Sequence, residues 1–291
     1  MSHKTFIMIP AYRDRELPAT LLDLYEKANS PGDLRVVVAW QFGRGEKLSK
    51  AVRSLKHLEI IPIPAAESRG PNWARRLLQD RYDGEEFTLL LDSHHRFARG
   101  WDETVLRMFE DLKKTCVKPI VTAYLPPYDP AREPRGRRHD LMKIYPLRRT
   151  QGLLTHVTGY RVALWRTLRA PIPADYASLH FLFAEGSFQR EILFDPDIYF
   201  FGDEVFTGLR AFTHGYDLFH PHKILGWHLY DRSTRMTHWD DHANWQRAEA
   251  LSFVKMRDII QGRARQSGLL ADVRTVRAYE KYIGTKLIKG R

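Results

Sequence analysis

With 291 residues, 43% of them hydrophobic, the chain is long enough to bury a sizeable core as one large domain or two small ones. It has no apolar run near the roughly 18 residues of a membrane span and no signal-peptide layout before Pro10. Its single cysteine, Cys116, excludes an intramolecular disulfide and fits a reducing cytoplasm. The net charge of +11 admits nucleic acid, anionic membranes or phosphorylated substrates as partners. Its sharpest basic segments, residues 132–138 and 281–291, lack interleaved aromatics and read as a solvated loop and tail, so no nucleic-acid partner is expected.

Residues 5–9 read as a strand and 17–28 as an amphipathic helix. A β-branched strand at 35–40 and a helix at 47–55 follow, then a strand at 58–63 and a helix at 73–82. Residues 87–91 are a continuous apolar strand, 101–114 a helix and 120–124 a further strand. Strand alternating with helix, with near-continuous apolar strands, predicts an α/β fold with a mainly parallel twisted sheet and helices on both faces. The rhythm breaks at Pro126, where a proline- and arginine-rich loop runs to about His139; its length suggests a mobile lid or an acceptor-binding segment. Shorter aromatic-rich strands come next, then helices near 204–214, 239–261 and 273–287. The simplest division is a catalytic domain over 1–245, with a donor-binding part to about 125 and an acceptor-binding part from about 126, and a C-terminal helical extension over 246–291.

The chemistry gathers at strand ends, where open α/β sheets bind ligands. Asp92-Ser93-His94 ends the 87–91 strand. Asp92 and His94 stand two apart and share a side in extended backbone, so a carboxylate oxygen and an imidazole nitrogen can hold one divalent ion. A polar strand end that caps the next helix is the plain alternative. Gly202-Asp203-Glu204 follows an aromatic run, and its two acids suit either substrate contact or a helix start. His228, in Gly226-Trp227-His228, ends the apolar Ile224-Leu225 strand and could complete a metal site. Trp40 and Gln41 end the second strand, where a ring could stack on a base and an amide read its edge, or where Trp40 is simply core. His238 and His242, flanking Asp240 and Asp241, read as helix-start structure. His220 and His222 read as structural or acceptor-side residues.

The ordered set Ile9-Pro10-Ala11-Tyr12-Arg13-Asp14, Arg69-Gly70 with Ala74-Arg75, Asp92-Ser93-His94, Phe201-Gly202-Asp203-Glu204 and Trp227-His228 resembles one family. It is that of the cytoplasmic polypeptide N-acetylglucosaminyltransferases acting on hydroxyproline, with their bacterial relatives. More distantly the set is similar to the mucin-type polypeptide N-acetylgalactosaminyltransferases. The likeness covers roughly residues 5–244. It implies a GT-A fold, a UDP-sugar donor, Mn2+ or Mg2+, and retention of configuration. It puts the metal ligands at Asp92, His94 and His228, and donor contacts at Pro10, Ala11, Tyr12 and Arg13. The arginine-containing helix falls at residues 69–75, and the acidic block at Gly202, Asp203 and Glu204. The mucin-type block has glutamate and asparagine where Asp203 and Glu204 stand in this sequence.

The expected reaction moves a sugar to an acceptor hydroxyl on a protein, saccharide or small molecule. Arg69 or Arg75 would assist the leaving diphosphate. With retention, a leaving phosphate oxygen takes the acceptor proton; with inversion, Asp203 or Glu204 is the base. A nucleotide-sugar binding protein without turnover is the non-enzyme alternative.

Overall fold

The computed structural model describes residues 4–233, 235–264 and 268–290. The chain runs β1 (Thr5–Tyr12), α1 (Leu17–Lys27), β2 (Leu34–Phe42), α2 (Lys50–Arg53), β3 (Leu58–Pro64), α3 (Pro71–Gln79) and β4 (Phe87–Leu91). Then come β5 (His95–Phe97), α4 (Trp101–Lys113), β6 (Pro119–Thr122), β7 (Met142–Thr150), β8 (Leu153–Arg161), β9 (Ile172–Pro173) and β10 (Phe181–Glu185). The last part holds α5 (Phe188–Glu191), α6 (Asp203–Thr213), β11 (Asp217–His220), β12 (Gly226–His228), α7 (His238–Asp241), α8 (Trp245–Ile260) and α9 (Val276–Tyr282).

The central sheet has eight strands in the order β3-β2-β1-β4-β10-β6-β11-β9. β3, β2, β1 and β4 pair in parallel, as βαβ units require. β10 enters antiparallel between β4 and β6, and β11 returns parallel to β6, so the sheet is mainly parallel. Alternation along each strand feeds two cores. Ile7, Ile9, Val36, Val38 and Leu91 pack under α1 and α4, while Phe6, Met8, Val37 and Leu90 pack under α3. In α1, Leu17, Thr20, Leu21 and Leu24 are buried at helical spacing, and Pro18 occupies the first turn where its missing N–H costs nothing.

Several expectations need revision. The helix expected at 47–55 is one turn, α2. The helix expected at 239–261 is two, α7 and α8, broken at His242, whose backbone is extended. The 126–139 loop is fastened down. Pro127 bridges to His228, His228 N–H donates to Pro126 O at 3.0 Å, and Trp227 Nε1–H donates to Arg138 O at 2.7 Å. Arg137 lies 4.2 Å over the Trp227 ring. The basic tail is also tied in: Leu287 and Ile288 are buried, and Leu154 N–H donates to Leu287 O at 2.8 Å; Arg291 lies outside the described residues.

α8, α9 and the tail form a third core with α6 and the β7–β8 hairpin. Phe253, Met256, Ile259 and Tyr279 meet Phe206, Leu209, Ile144 and Leu154 there.

Candidate metal centre and the cavities that meet at it

Asp92 follows the carboxyl end of β4, His94 lies two residues on, and His228 ends β12. β12 pairs antiparallel with β5, which sets His228 opposite His95. This pairing needs glycine at 226: a Cβ there would stand 2.5 Å from Arg96 O. One ligating atom from each of Asp92, His94 and His228 lies within 4.8 Å of the others. His228 Nε2 is 3.3 Å and His94 Nε2 3.6 Å from Asp92 Oδ2. Both imidazoles are buried and the carboxylate is partly open.

The donor set fits a divalent cation. His94 Nδ1 lies 2.7 Å from Asp14 Oδ2, so in the neutral ring that nitrogen carries the proton and Nε2 is the one left to a ligand. Nε2 is buried without a hydrogen-bond partner, an expensive state for a polar atom unless a ligand meets it. Asp14 also accepts from Ser93 Oγ at 2.6 Å. Burial alone would raise the Asp14 pKa, but the bonds from His94 and Ser93 outweigh it and hold the carboxyl below its ordinary range. Burial and the neighbouring imidazoles of His94 and His95 push His228 well below the usual histidine range, which keeps it neutral as a ligand must be. Asp14 is a site residue that sequence reasoning missed as such. It stands in the quoted first block, but nothing local joins it to His94, 80 positions away.

Two cavities meet at this centre. One, of about 140 Å³, is lined by Pro10, Tyr12, Gln41, Ser93, Arg232 and Arg235 among others. The other, of about 570 Å³, is lined by Tyr124, His156, Glu204, His228 and Tyr230 among others. Arg75, Asp92, Phe200 and Arg232 border both.

Pro10 and Tyr12 face the first cavity, whereas Ala11 between them points into the core below. The same period of two separates Gln41, in the cavity, from Trp40, which packs on that core and against Phe42 at 4.8 Å. Arg13 does not line the cavity; it pairs with Asp241 at 2.7 Å, and Tyr12 OH donates to the same carboxylate at 2.7 Å. His238 does line it, holding Tyr199 OH at 2.6 Å. His220 bridges Thr122 O and Ile144 N as a structural residue.

Arg69 is exposed and lines neither cavity. Arg75 is buried and bonded to Asp203 at 2.8 Å and to Asn72 Oδ1 at 3.0 Å. The α3 start that sets it needs Gly70, with φ at +109° and a Cβ position 2.9 Å from the Tyr199 ring. Burial pushes the Asp203 pKa up against the pull of Arg75. Glu204 accepts from Tyr124 OH at 2.5 Å and from Leu179 N–H at 3.1 Å. Burial, with Asp203 beside it, pushes its pKa up to about 7. Arg232 and Arg235 also escaped the sequence reading. Among the described residues neither has a carboxylate partner, and Arg232 lies 5.2 Å over the Trp239 ring.

The sheet order and the ligand edge it creates are those of a GT-A glycosyltransferase fold. Solved structures agree in architecture. The crystal structure of GalNAc-T7 with UDP, GalNAc and Mn2+ superposes at a TM-score of 0.59 with 12% identity, covering 97% of this chain and 55% of that one. S. aureus TarS superposes at 0.52 with 14% identity, covering 79% and 37%, and its residues 1–349 in complex with UDP at 0.51 with 13% identity, covering 86% and 65%. The chain thus spans about half or less of the first two structures. No curated protein sequence matches it. The family model described as Glycosyltransferase (GlcNAc) matches residues 4–60 and 43–286, and the chain belongs to that family.

Proposed function

We propose that the chain is a metal-dependent glycosyltransferase that moves N-acetylglucosamine from UDP to an acceptor hydroxyl with retention of configuration. The observation that carries this reading is the meeting of two cavities at Asp92, beside an imidazole nitrogen left open for a ligand. The GalNAc-T7 structure, which holds UDP, GalNAc and Mn2+, supports the same assignment. In this reading the donor-binding part spans about 1–125, the acceptor-binding part about 126–245, and the helical extension of 246–291 packs back against α6 and the β7–β8 hairpin. The likeness to the hydroxyproline-directed enzymes supports the choice of sugar and of retention.

Asp92, His94 and His228 would hold Mn2+ or Mg2+. A bound divalent ion supplies Lewis-acid stabilisation of charge on a departing diphosphate. Arg232 and Arg235, without a carboxylate partner among the described residues, offer paired hydrogen bonds to the phosphates. Ser68 Oγ–H donates to Gln41 Oε1 at 2.5 Å, which leaves the Gln41 amide N–H to meet a uracil carbonyl. Arg75, bonded to Asp203, orients the border between the cavities, while the outer arginines meet the donor. One observation favours a second reading. Glu204, with its pKa raised to about 7 and so about half ionised at neutral pH, is set in the acceptor-side cavity and has the placement of a general base for inversion.

The test is a nucleotide-sugar panel with Mn2+, reading released nucleoside diphosphate and the anomeric configuration of the product. UDP release from UDP-N-acetylglucosamine, abolished by chelation, is expected. Asp14→Asn should keep the fold and weaken Mn2+ binding by about 10–100-fold, because it loosens the ring that presents Nε2. No nucleotide release from any donor, at full metal occupancy, would sink the proposal.

A further inference from the structure

Among residues that line neither of these two cavities, the β7–β8 hairpin and the loop after it expose large apolar groups. Leu164 is 80% exposed, Leu147 60%, Tyr160 57% and Tyr145 41%. Tyr145 and Tyr160 meet edge to face at 5.6 Å, and Leu147 stands at the β-bulge beyond them. Leu164 is held at φ +51°, a left-handed conformation unusual for leucine, with its side chain in water.

Charge is concentrated in the same stretch. Residues 142–170, the hairpin and the loop after it, carry six Lys and Arg and no Asp or Glu, which accounts for six of the chain's eleven net positive charges. Arg148, Arg166 and Arg169 are exposed, and among the described residues none has a carboxylate partner. Trp165, beneath Arg166 at 4.7 Å, keeps a buried indole N–H without an acceptor.

A soluble polyanion would answer the arginines but leave two leucines in water. An anionic bilayer answers both, since aliphatic tips enter the acyl boundary, aromatic rings sit at headgroup level and arginines meet lipid phosphates. We propose that this face docks peripherally on an anionic lipid surface. Leu147 and Leu164 are the inserted tips, Tyr145 and Tyr160 the headgroup-level rings, and Arg148 and Arg166 the phosphate contacts. No helix among the described residues is long and apolar enough to cross a membrane. The docking stands apart from the glycosyl-transfer reading. Only its consequence rests on that reading: other residues of the same hairpin, Met142, His156 and Val157, line the acceptor-side cavity, which would then open beside the bilayer.

The test is cosedimentation of the full chain with vesicles of phosphatidylcholine alone and of phosphatidylcholine mixed with phosphatidylglycerol. Binding to the mixed vesicles only, weakening as salt rises, is expected. Arg148→Gln and Arg166→Gln should each lower the partition by about fivefold. The paired change Leu147→Ser with Leu164→Ser should lower it by about tenfold or more without moving the Tm, because both side chains are exposed. Lys281→Gln with Lys286→Gln, a loss of two charges elsewhere, should leave it nearly unchanged. Absence of binding to mixed vesicles overturns the proposal. So does binding that ignores the leucine pair and is competed equally by single-stranded DNA, which would mark a general polyanion surface. No readout involves sugar transfer, so failure here leaves the proposed activity untouched.

Discussion

Glu204 gives the residue scale its sharpest test. Its carboxyl pKa stands near 7 in the fold against 4.5 in the free side chain, so the folded state binds the proton more tightly than the unfolded chain. The associated stability is therefore fully present below about pH 4.5 and is lost as pH rises through about 7. The shift corresponds to about 3 kcal/mol, reduced toward 2 because the carboxyl borders a wet cavity. Glutamine can keep both bonds, accepting from Leu179 N–H and donating to the Tyr124 oxygen. Glu204→Gln should then narrow the difference in denaturant stability between pH 5 and pH 8 by about 2–3 kcal/mol. An unchanged difference would show that Glu204 titrates normally. The same variant separates mechanisms: turnover should fall by about 10²-fold or more if Glu204 is the base, and little if a leaving phosphate oxygen takes the proton. At this scale the sequence was partly legible. Asp92 and His94 stand close enough in sequence to be read as one candidate pair, although the chain bends at Ser93 and His94 instead of running extended as the spacing assumed. Asp14, Arg232 and Arg235 do not, because only the folded sheet edge brings them to the site.

Elements were more legible than residues. The runs in β1, β2 and β4 are apolar over most of their length, and β2 carries three consecutive valines, so composition and pattern agree there. β10 and the β7–β8 hairpin were not individually discernible: a strand inserted antiparallel between β4 and β6 leaves no local mark, and the exposed half of the hairpin blurs the alternation. Trp40 and Ala11 show a finer limit, since a strand's position was read correctly while which face each side chain takes depends on register. The short pair β5–β12 was visible only as its His228 end, yet it is the element on which the site depends. Gly226→Ala should separate these strands, because the added methyl meets the backbone carbonyl of Arg96 rather than a side chain that can yield. We expect a loss of about 1–3 kcal/mol of stability and, with His228 displaced, a much weaker response of the Tm to added Mn2+. Leu225→Val, a core change in the same segment, should cost comparable stability and keep that response. Equal Mn2+ responses in the two variants would mean that β12 does not place a metal ligand.

At the scale of the whole molecule, the helices after residue 244 complete a core rather than trail from one. Phe253, Met256, Ile259, Ile260, Tyr279, Leu287 and Ile288 are all buried in the cluster that covers α6, whose first two residues are Asp203 and Glu204. α8 reaches further: Glu249 accepts from Phe200 N–H at 3.2 Å and Phe201 N–H at 2.8 Å, and so fixes the turn that lines both cavities. Burying seven such side chains is worth about 10–20 kcal/mol as an upper estimate, a sum as large as the usual net stability of about 5–15 kcal/mol. A chain ending at 244 should therefore fail to unfold cooperatively or should aggregate, although it keeps every proposed metal ligand. Glu249→Ala isolates the second role. It leaves the apolar core intact and strands two backbone N–H groups, at a cost of about 1–3 kcal/mol each at most. It should stay folded at room temperature, raise KM for donor and acceptor together because Phe200 borders both cavities, and leave Mn2+ binding near normal. A truncated chain that folds cooperatively and turns over at the full-length rate would show the C-terminal helices to be an appendage. Normal kinetics in Glu249→Ala would show that the aromatic turn holds its place without them.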